Sequence, residues 1–247
     1  MDNDNSSSLE PTFIDGVRSI SKKKLVAVLF LGSILYVVVA FVSLLIPFAL
    51  FGLPKVGIAF IVVGLIQLIV GLCVIAFSLR FIKLKFRDVG LTTEHLGKDS
   101  AIGVFVAIVF ALLQFLVIIP NTGGAERSDI VVASSMVEGR LSGVIGIFGL
   151  AWTSVFFEEL FFRGFFFTVL RCLLGPTRLA LSISVVVTVV FFGALHGYQG
   201  WSGVIDTALY GGLTLTLLYV WSGRLTACIV AHALWNTLAV VGVYLWY

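Results

Sequence analysis

Long apolar runs separated by short polar segments are the feature that most constrains how this chain can fold. From Leu25 onward, each run approaches or exceeds the ~20 residues that a helix needs to cross a bilayer. The chain is 60% hydrophobic and 12% charged, whereas soluble globular chains are roughly 45–50% apolar and about 25% charged. We therefore predict an all-α polytopic transmembrane helix bundle. About seven spans are expected, at 25–51, 57–79, 101–119, 142–172, 178–197, 203–221 and 225–246.

The fourth run is too long for one helix perpendicular to the membrane. From Ser142 to Leu174 it would measure about 50 Å as a straight helix, against a hydrocarbon core of about 30 Å. The helix must therefore tilt, protrude or break, which leaves room for an eighth helix.

The N-terminal segment and the loop charges predict an orientation. Residues 1–24 are polar and lack the apolar stretch of a signal peptide, so we predict a cytoplasmic tail there and a transmembrane bundle over 25–247. With the N-terminus inside, twelve basic residues lie on inner segments and three on outer segments, as the positive-inside rule requires. The inner twelve are Arg18, Lys22, Lys23, Lys24, Arg80, Lys83, Lys85, Arg87, Lys98, Arg171, Arg178 and Arg224, and the outer three are Lys55, Arg127 and Arg140.

Three charged residues interrupt the apolar fourth span. Glu158, Glu159 and Arg163 lie in the segment S-V-F-F-E-E-L-F-F-R-G, where an ionised side chain costs ~3 kcal/mol near the bilayer centre. On a helix, Glu159 and Arg163 are i and i+4 and can form an ion pair, whereas Glu158 has no such partner. The alternative, that these charges only lock the helix against a neighbour, is less favoured because a third charge is not needed for it.

Two histidines and an asparagine are further polar residues in the predicted spans, together with the glutamines Gln67 and Gln114. Phe192 and His196 are i and i+4, so the phenyl ring can pack against the imidazole. His232 and Asn236 have the same spacing and can point together into one cavity. Interhelical hydrogen bonding alone contributes about 0.6 kcal/mol per contact, which hardly explains so many costly groups.

These residue types are the ones needed to hydrolyse a peptide bond. A carboxylate in an apolar site can take a proton from water, and a histidine can position that water. Imidazole and carboxamide N–H groups can stabilise the oxyanion of the tetrahedral intermediate. Alternatively, Glu158, His196 and His232 could bind zinc and leave one position open for water.

Three motifs give the chain a family resemblance. E-E-x-x-x-R occurs as E-E-L-F-F-R from Glu158 to Arg163, F-x-x-x-H as F-G-A-L-H from Phe192 to His196, and H-x-x-x-N as H-A-L-W-N from His232 to Asn236. With these motifs in order on three different spans, the chain resembles the CPBP superfamily. These intramembrane endopeptidases include the type II CAAX prenyl proteases and the bacteriocin-immunity, or abortive-infection-like, proteins. The resemblance covers a protease-like core at about 87–241.

The resemblance implies a role for each motif residue. Glu158 and His196 would activate the water, and His232 and Asn236 would form the oxyanion site. Glu159, Arg163 and Phe192 would support the site. The resemblance also implies a mechanism that depends on glutamate. We expect that mechanism to require no metal, with zinc as the alternative.

The leading hypothesis is therefore an intramembrane endopeptidase that hydrolyses a peptide bond through a glutamate-activated water. We expect the membrane and a protein or peptide substrate, prenylated or not, as its partners, and no nucleic acid. A non-catalytic immunity or scaffold protein is the main alternative. A proton-coupled transporter is less favoured, because no inverted repeat is visible in the sequence.

Overall fold

The computed structural model describes residues 20–50 and 59–247, together with Gly52 and Gly57. All regular elements in this part of the chain are helices, which confirms the predicted all-α class. Seven of the described helices are long and apolar enough to cross a membrane, and an eighth, Ser128–Val137, is too short. In chain order the helices are α1 Lys22–Ala49, α2 Ala59–Phe81, α3 Leu96–Asn121, α4 Ser128–Val137, α5 Leu141–Leu174, α6 Arg178–Leu195, α7 Gly197–Ser222 and α8 Thr226–Trp246.

The predicted spans agree with these helices to within a few residues at most ends. α1 begins at Lys22 rather than Leu25, because Ser21 caps it: the Ser21 hydroxyl accepts a hydrogen bond from the Lys24 backbone N–H at 3.4 Å. Residues 1–19 of the predicted tail, and the predicted turn at Pro54 and Lys55, lie outside the described residues.

The long fourth span stays continuous from Leu141 to Leu174, so it does not provide an eighth spanning helix within the described chain. Its interior changes to π-helical geometry over Leu160–Phe167. Similar π segments occur in α3, at Gln114–Ile118, and in α7, at Ala208–Thr214. Each widens the helix locally and rotates the residues that follow, and such segments are frequent at functional sites.

Helix α8 is central to the bundle, because it packs along both α3 and α5, while α2 packs on the N-terminal part of α5, Leu141–Glu159. A large aromatic core supports the π segment of α5: the Tyr36 ring from α1 stacks on Phe161 with ring centroids 4.0 Å apart, and Phe162 packs edge-on against Phe192 of α6 at 4.8 Å. This packing fixes the rotation of α5 and therefore the direction of its charged residues.

Two ion-pair clusters join helices that are distant in sequence. At the start of α3, Asp99 accepts a hydrogen bond from Arg224, with Nη2 and Oδ1 2.8 Å apart, and this bond raises the pKa of the Arg224 guanidinium. Before α4, Arg127 donates to Asp129 at 2.8 Å and to Asp206 of α7 at 2.5 Å. The second cluster holds the short helix α4 against α7.

Candidate active site

A cavity of about 290 Å³ lies between α3, α4, α5, α6, α7 and α8. Most of its wall is apolar or aromatic, with contributions from Phe110, Phe115 and Trp235. The four residues that the sequence predicted as catalytic all line this one cavity: Glu158, His196, His232 and Asn236. The predicted supporting residue Phe192 lines it too. Side chains that are up to 78 residues apart in the sequence are thus brought to one site.

The two adjacent glutamates face different surroundings. Glu158 is partly buried and lines the cavity, whereas Glu159 and Arg163 are completely buried beside it. Arg163 Nη1 donates to Glu159 Oε1 at 2.8 Å, which confirms the predicted ion pair. Glu158 has no hydrogen bond to any other described residue. Its carboxylate is therefore free to bind water or substrate in the cavity.

Glu159 has a second partner that the sequence did not predict. Its Oε1 atom lies 2.6 Å from Nδ1 of His232. Because Glu159 also accepts a bond from Arg163, it is a carboxylate that can only accept, so His232 Nδ1 carries the hydrogen. In neutral His232, Nε2 is then without a hydrogen and acts as an acceptor. Only the imidazolium form donates from both nitrogens.

His196 is oriented in a similar way, but by the backbone. Its Nδ1 atom lies 2.8 Å from the carbonyl oxygen of Phe192 and therefore donates to it, which leaves Nε2 as an acceptor. The rings of Phe192 and His196 are 4.7 Å apart, as their spacing predicted. The helix α6 ends at Leu195, two residues before the approximate predicted end of the fifth span, and His196 leaves helical geometry at φ −97° and ψ 16°.

Arg163 is held by contacts that leave part of it unsatisfied. Its guanidinium carbon lies 4.7 Å from the centroid of the Phe192 ring, a cation–π contact. Nη2 reaches the Gly212 carbonyl oxygen in the π segment of α7 only at 3.5 Å. Arg163 Nε and Glu159 Oε2 are buried without a hydrogen-bond partner among the described residues. The buried pair behind His232 and Phe192 thus has unused donor and acceptor capacity.

A metal site was the alternative for Glu158, His196 and His232. Their chemistry is suitable in principle, since a carboxylate and two imidazole nitrogens are common zinc ligands. However, no three His, Cys, Asp or Glu side chains in the described part of the chain are close enough together to hold a metal ion.

Several cavity residues were not assigned to the site from the sequence. Asp129, Tyr198, Gln199 and Asp206 line its wall near α4 and α7. Asp206 carried a usable signal, because it is a carboxylate within the predicted sixth span. Gln114 was noted only as a polar residue in a span, and it too lines the cavity.

Comparison with known families supports the resemblance that the motifs indicated. Residues 140–238 match the family model described as "Type II CAAX prenyl endopeptidase Rce1-like". The matched segment begins one residue before α5 and ends two residues after Asn236, so it contains all three motifs. Searches of curated proteins and of solved structures each gave no match. By its motifs and by this match, the segment 140–238 is similar to the type II CAAX prenyl endopeptidases, within a chain whose described part has seven helices long and apolar enough to cross a membrane.

Proposed function

We propose that this protein is an intramembrane endopeptidase that cleaves a peptide bond in a membrane-associated protein or peptide, with prenylated CAAX-type tails as the substrate class to test first. The observation that carries the proposal is that Glu158, His196, His232 and Asn236 line one cavity within an apolar bundle. A non-catalytic scaffold would need no such convergence of a carboxylate, two oriented imidazoles and a carboxamide.

Water activation is the first step of the proposed mechanism. Glu158 takes a proton from a water molecule, and the His196 Nε2 lone pair accepts the other hydrogen and fixes the water in place. The resulting hydroxide attacks the carbonyl carbon of the substrate, forming a tetrahedral intermediate. Glu158 then returns the proton to the leaving nitrogen as the C–N bond breaks. The Phe192 carbonyl oxygen acts as a positioning group, since it fixes the tautomer of His196.

Oxyanion stabilisation is assigned to Asn236 and His232. The Asn236 amide has no hydrogen bond to other described residues and can donate directly to the oxyanion. His232 can donate from Nε2 only as an imidazolium, because its Nδ1 hydrogen is bound to Glu159.

The central test is the cleavage of a fluorescence-quenched prenylated CAAX peptide by the purified protein in liposomes. Glu158→Gln should lower kcat about 10²–10⁴-fold and Asn236→Ala about 10²–10³-fold, with thermal unfolding unchanged. Glu138→Gln, an exposed carboxylate outside the cavity, is the matched control and should behave like the wild type. Full activity of Glu158→Gln would overturn the assigned site.

The natural substrate can be sought with the same pair of proteins. Membranes that contain the wild type should show a peptide fragment that is missing from membranes that contain Glu158→Gln. If the two proteomes had identical fragments and neither protein cleaved the probe, the non-catalytic alternative would replace the endopeptidase.

We further propose that the reaction needs no bound metal. Treatment of the reconstituted protein with EDTA and phenanthroline should then leave cleavage unchanged, and the purified protein should contain no stoichiometric metal. Loss of activity on chelation, with recovery on addition of zinc, would overturn this part of the mechanism.

We also propose that the N-terminus is cytoplasmic, on the basis of the unequal loop charges. After the three native cysteines are replaced by alanine, Thr93→Cys before α3 and Ser135→Cys in α4 provide exposed labelling sites. An impermeant maleimide should reach position 135 from outside intact cells and position 93 only after the membrane is opened. Labelling of both positions from the same side would contradict this topology.

A further inference from the structure

Gln114 of α3 is a buried polar residue that no family motif includes. The residue is 2% exposed and lines the cavity, and its Nε2 atom has no hydrogen-bond partner among the described residues. Burying a donor without a partner is unfavourable, so native structures rarely keep one without a reason. The residue also begins the π segment Gln114–Ile118, a geometry that is frequent at functional sites.

The contacts between α3 and α8 place Gln114 relative to the proposed oxyanion site. The two helices run parallel: Asp99 pairs with Arg224, the Phe110 ring lies 4.9 Å from the Trp235 ring, and a side chain at Gly242 would overlap the Phe115 ring. Gln114 is therefore level with Ala239 and Val240 of α8, both of which line the same cavity. This level is about one helical turn, roughly 5 Å, beyond Asn236.

We propose that Gln114 binds a backbone peptide group of the substrate one or two residues from the bond that is cleaved. An extended peptide rises about 3.3 Å per residue, so a separation of roughly 5 Å from the oxyanion site corresponds to that distance along the substrate. The carboxamide suits this ligand, because it offers both a donor and an acceptor, as a peptide group does. This inference rests on the proposed peptidase function and adds a substrate-positioning residue to it.

A purely structural role would require a partner that Gln114 does not have in the described chain. Replacing it by leucine, which has a similar volume, removes the unsatisfied donor and should not lower the folding stability. The same substitution removes a hydrogen bond to the substrate. Stability and activity are thus expected to respond differently, which separates binding of substrate from support of the fold.

The test compares Gln114→Leu with Gln67→Leu in liposomes. Gln67 is also a glutamine within a spanning helix, but it lies in α2 and does not line the cavity. With the prenylated CAAX probe, Gln114→Leu should lower kcat/KM about tenfold, whereas Gln67→Leu should match the wild type. Thermal unfolding of Gln114→Leu should occur at the wild-type temperature or above. An unchanged kcat/KM, or clearly earlier unfolding, would overturn the inference.

A series of ester-containing probes locates the contact. In each probe one peptide group near the cleaved bond is replaced by an ester, which removes its N–H and weakens its carbonyl as an acceptor. At one position the ester should lower kcat/KM of the wild type, whereas Gln114→Leu should cleave the ester probe and the peptide probe with nearly the same kcat/KM. Equal effects of every ester on both proteins would mean that Gln114 contacts none of the substituted groups, and would overturn the inference.

A binding measurement separates this inference from the proposed chemistry. In the Glu158→Gln background, which should bind the probe without cleaving it, addition of Gln114→Leu should raise the Kd of the fluorescent probe about tenfold. An unchanged Kd would overturn the role of Gln114 while leaving the Glu158 assignment intact. If Gln114→Leu raised the Kd but the Glu158→Gln protein still cleaved the probe, the role of Gln114 would be supported and the catalytic assignment of Glu158 overturned.

Discussion

Two buried arginines, Arg127 and Arg163, have similar exposure but very different surroundings. Their side chains are 2% and 0% exposed, respectively. Arg127 donates to Thr122, to both carboxylate oxygens of Asp129 and to Asp206. Arg163 has one short bond, to Glu159, and one long bond of 3.5 Å to the Gly212 carbonyl oxygen. The first guanidinium is well satisfied by protein groups and the second is not.

In the Arg127 cluster, hydrogen bonds to carboxylates compensate the cost of burying the guanidinium. Burial alone would lower the pKa of the Arg127 guanidinium, but its hydrogen bonds to Asp129 and Asp206 outweigh burial and raise that pKa. The cluster therefore keeps its charges paired and holds α4 against α7, which is a structural task.

The polar atoms without a hydrogen-bond partner near Arg163 lie close to the cavity. Arg163 Nε, Glu159 Oε2 and Gln114 Nε2 are all buried without a partner among the described residues. Two of these three residues adjoin His232 or Phe192, and the third lines the cavity itself. Asp129 and Asp206 of the Arg127 cluster also line the cavity, so nearness to the cavity alone does not separate the two clusters. They differ in their neighbours: the Arg127 cluster joins α4 to α7, whereas the Arg163 cluster lies against His232 and Phe192.

The largest loss of stability is expected for Arg163→Ala. The substitution leaves Glu159 as a buried, poorly compensated charge, which should lower the free energy of unfolding by about 3–5 kcal/mol. Thermal unfolding of the detergent-purified protein measures this effect. Adding Glu159→Gln should recover part of the loss, because the uncompensated charge is then removed. Wild-type stability with lost activity would instead assign Arg163 a direct part in catalysis.

A smaller loss is expected for Arg127→Ala. Asp129 and Asp206 are 22% and 20% exposed, so water can solvate them in part once the guanidinium is gone. The expected cost is about 1–3 kcal/mol, measured in the same unfolding assay. A loss greater than that for Arg163→Ala would contradict the distinction between the two clusters, since the more complete network would then be the more critical one.

The smallest effect is expected for Arg140→Ala. Arg140 and Glu138 form a 4.0 Å pair with side chains 73% and 43% exposed. Exposed pairs contribute about 0–1 kcal/mol, because water competes for both charges. We expect an unfolding temperature close to that of the wild type, which makes this variant the baseline for the two buried arginines. A clear destabilisation would show that exposure does not set the order of the three effects.

The sequence by itself determined the architecture and the local pairs within it. A bilayer requires about 20 apolar residues per helix, so the seven spans follow directly from the apolar runs. Spacings of four residues likewise placed Arg163 beside Glu159 and His196 beside Phe192, because helical neighbours three or four positions apart lie on one face. These conclusions depend only on short stretches of chain and on the surrounding lipid.

Contacts between distant residues were decided only by the tertiary structure. His232 meets Glu159 across 73 residues, and Arg127 meets Asp206 across 79. The sequence gives no rule for such pairs, because the rotation of each helix depends on the packing of its neighbours. The π segments add to this: each shifts the residues that follow around the helix axis, and periodicity does not predict where they occur. For that reason the tautomer of His232 and the position of Gln114 on the cavity wall became visible only in the folded bundle.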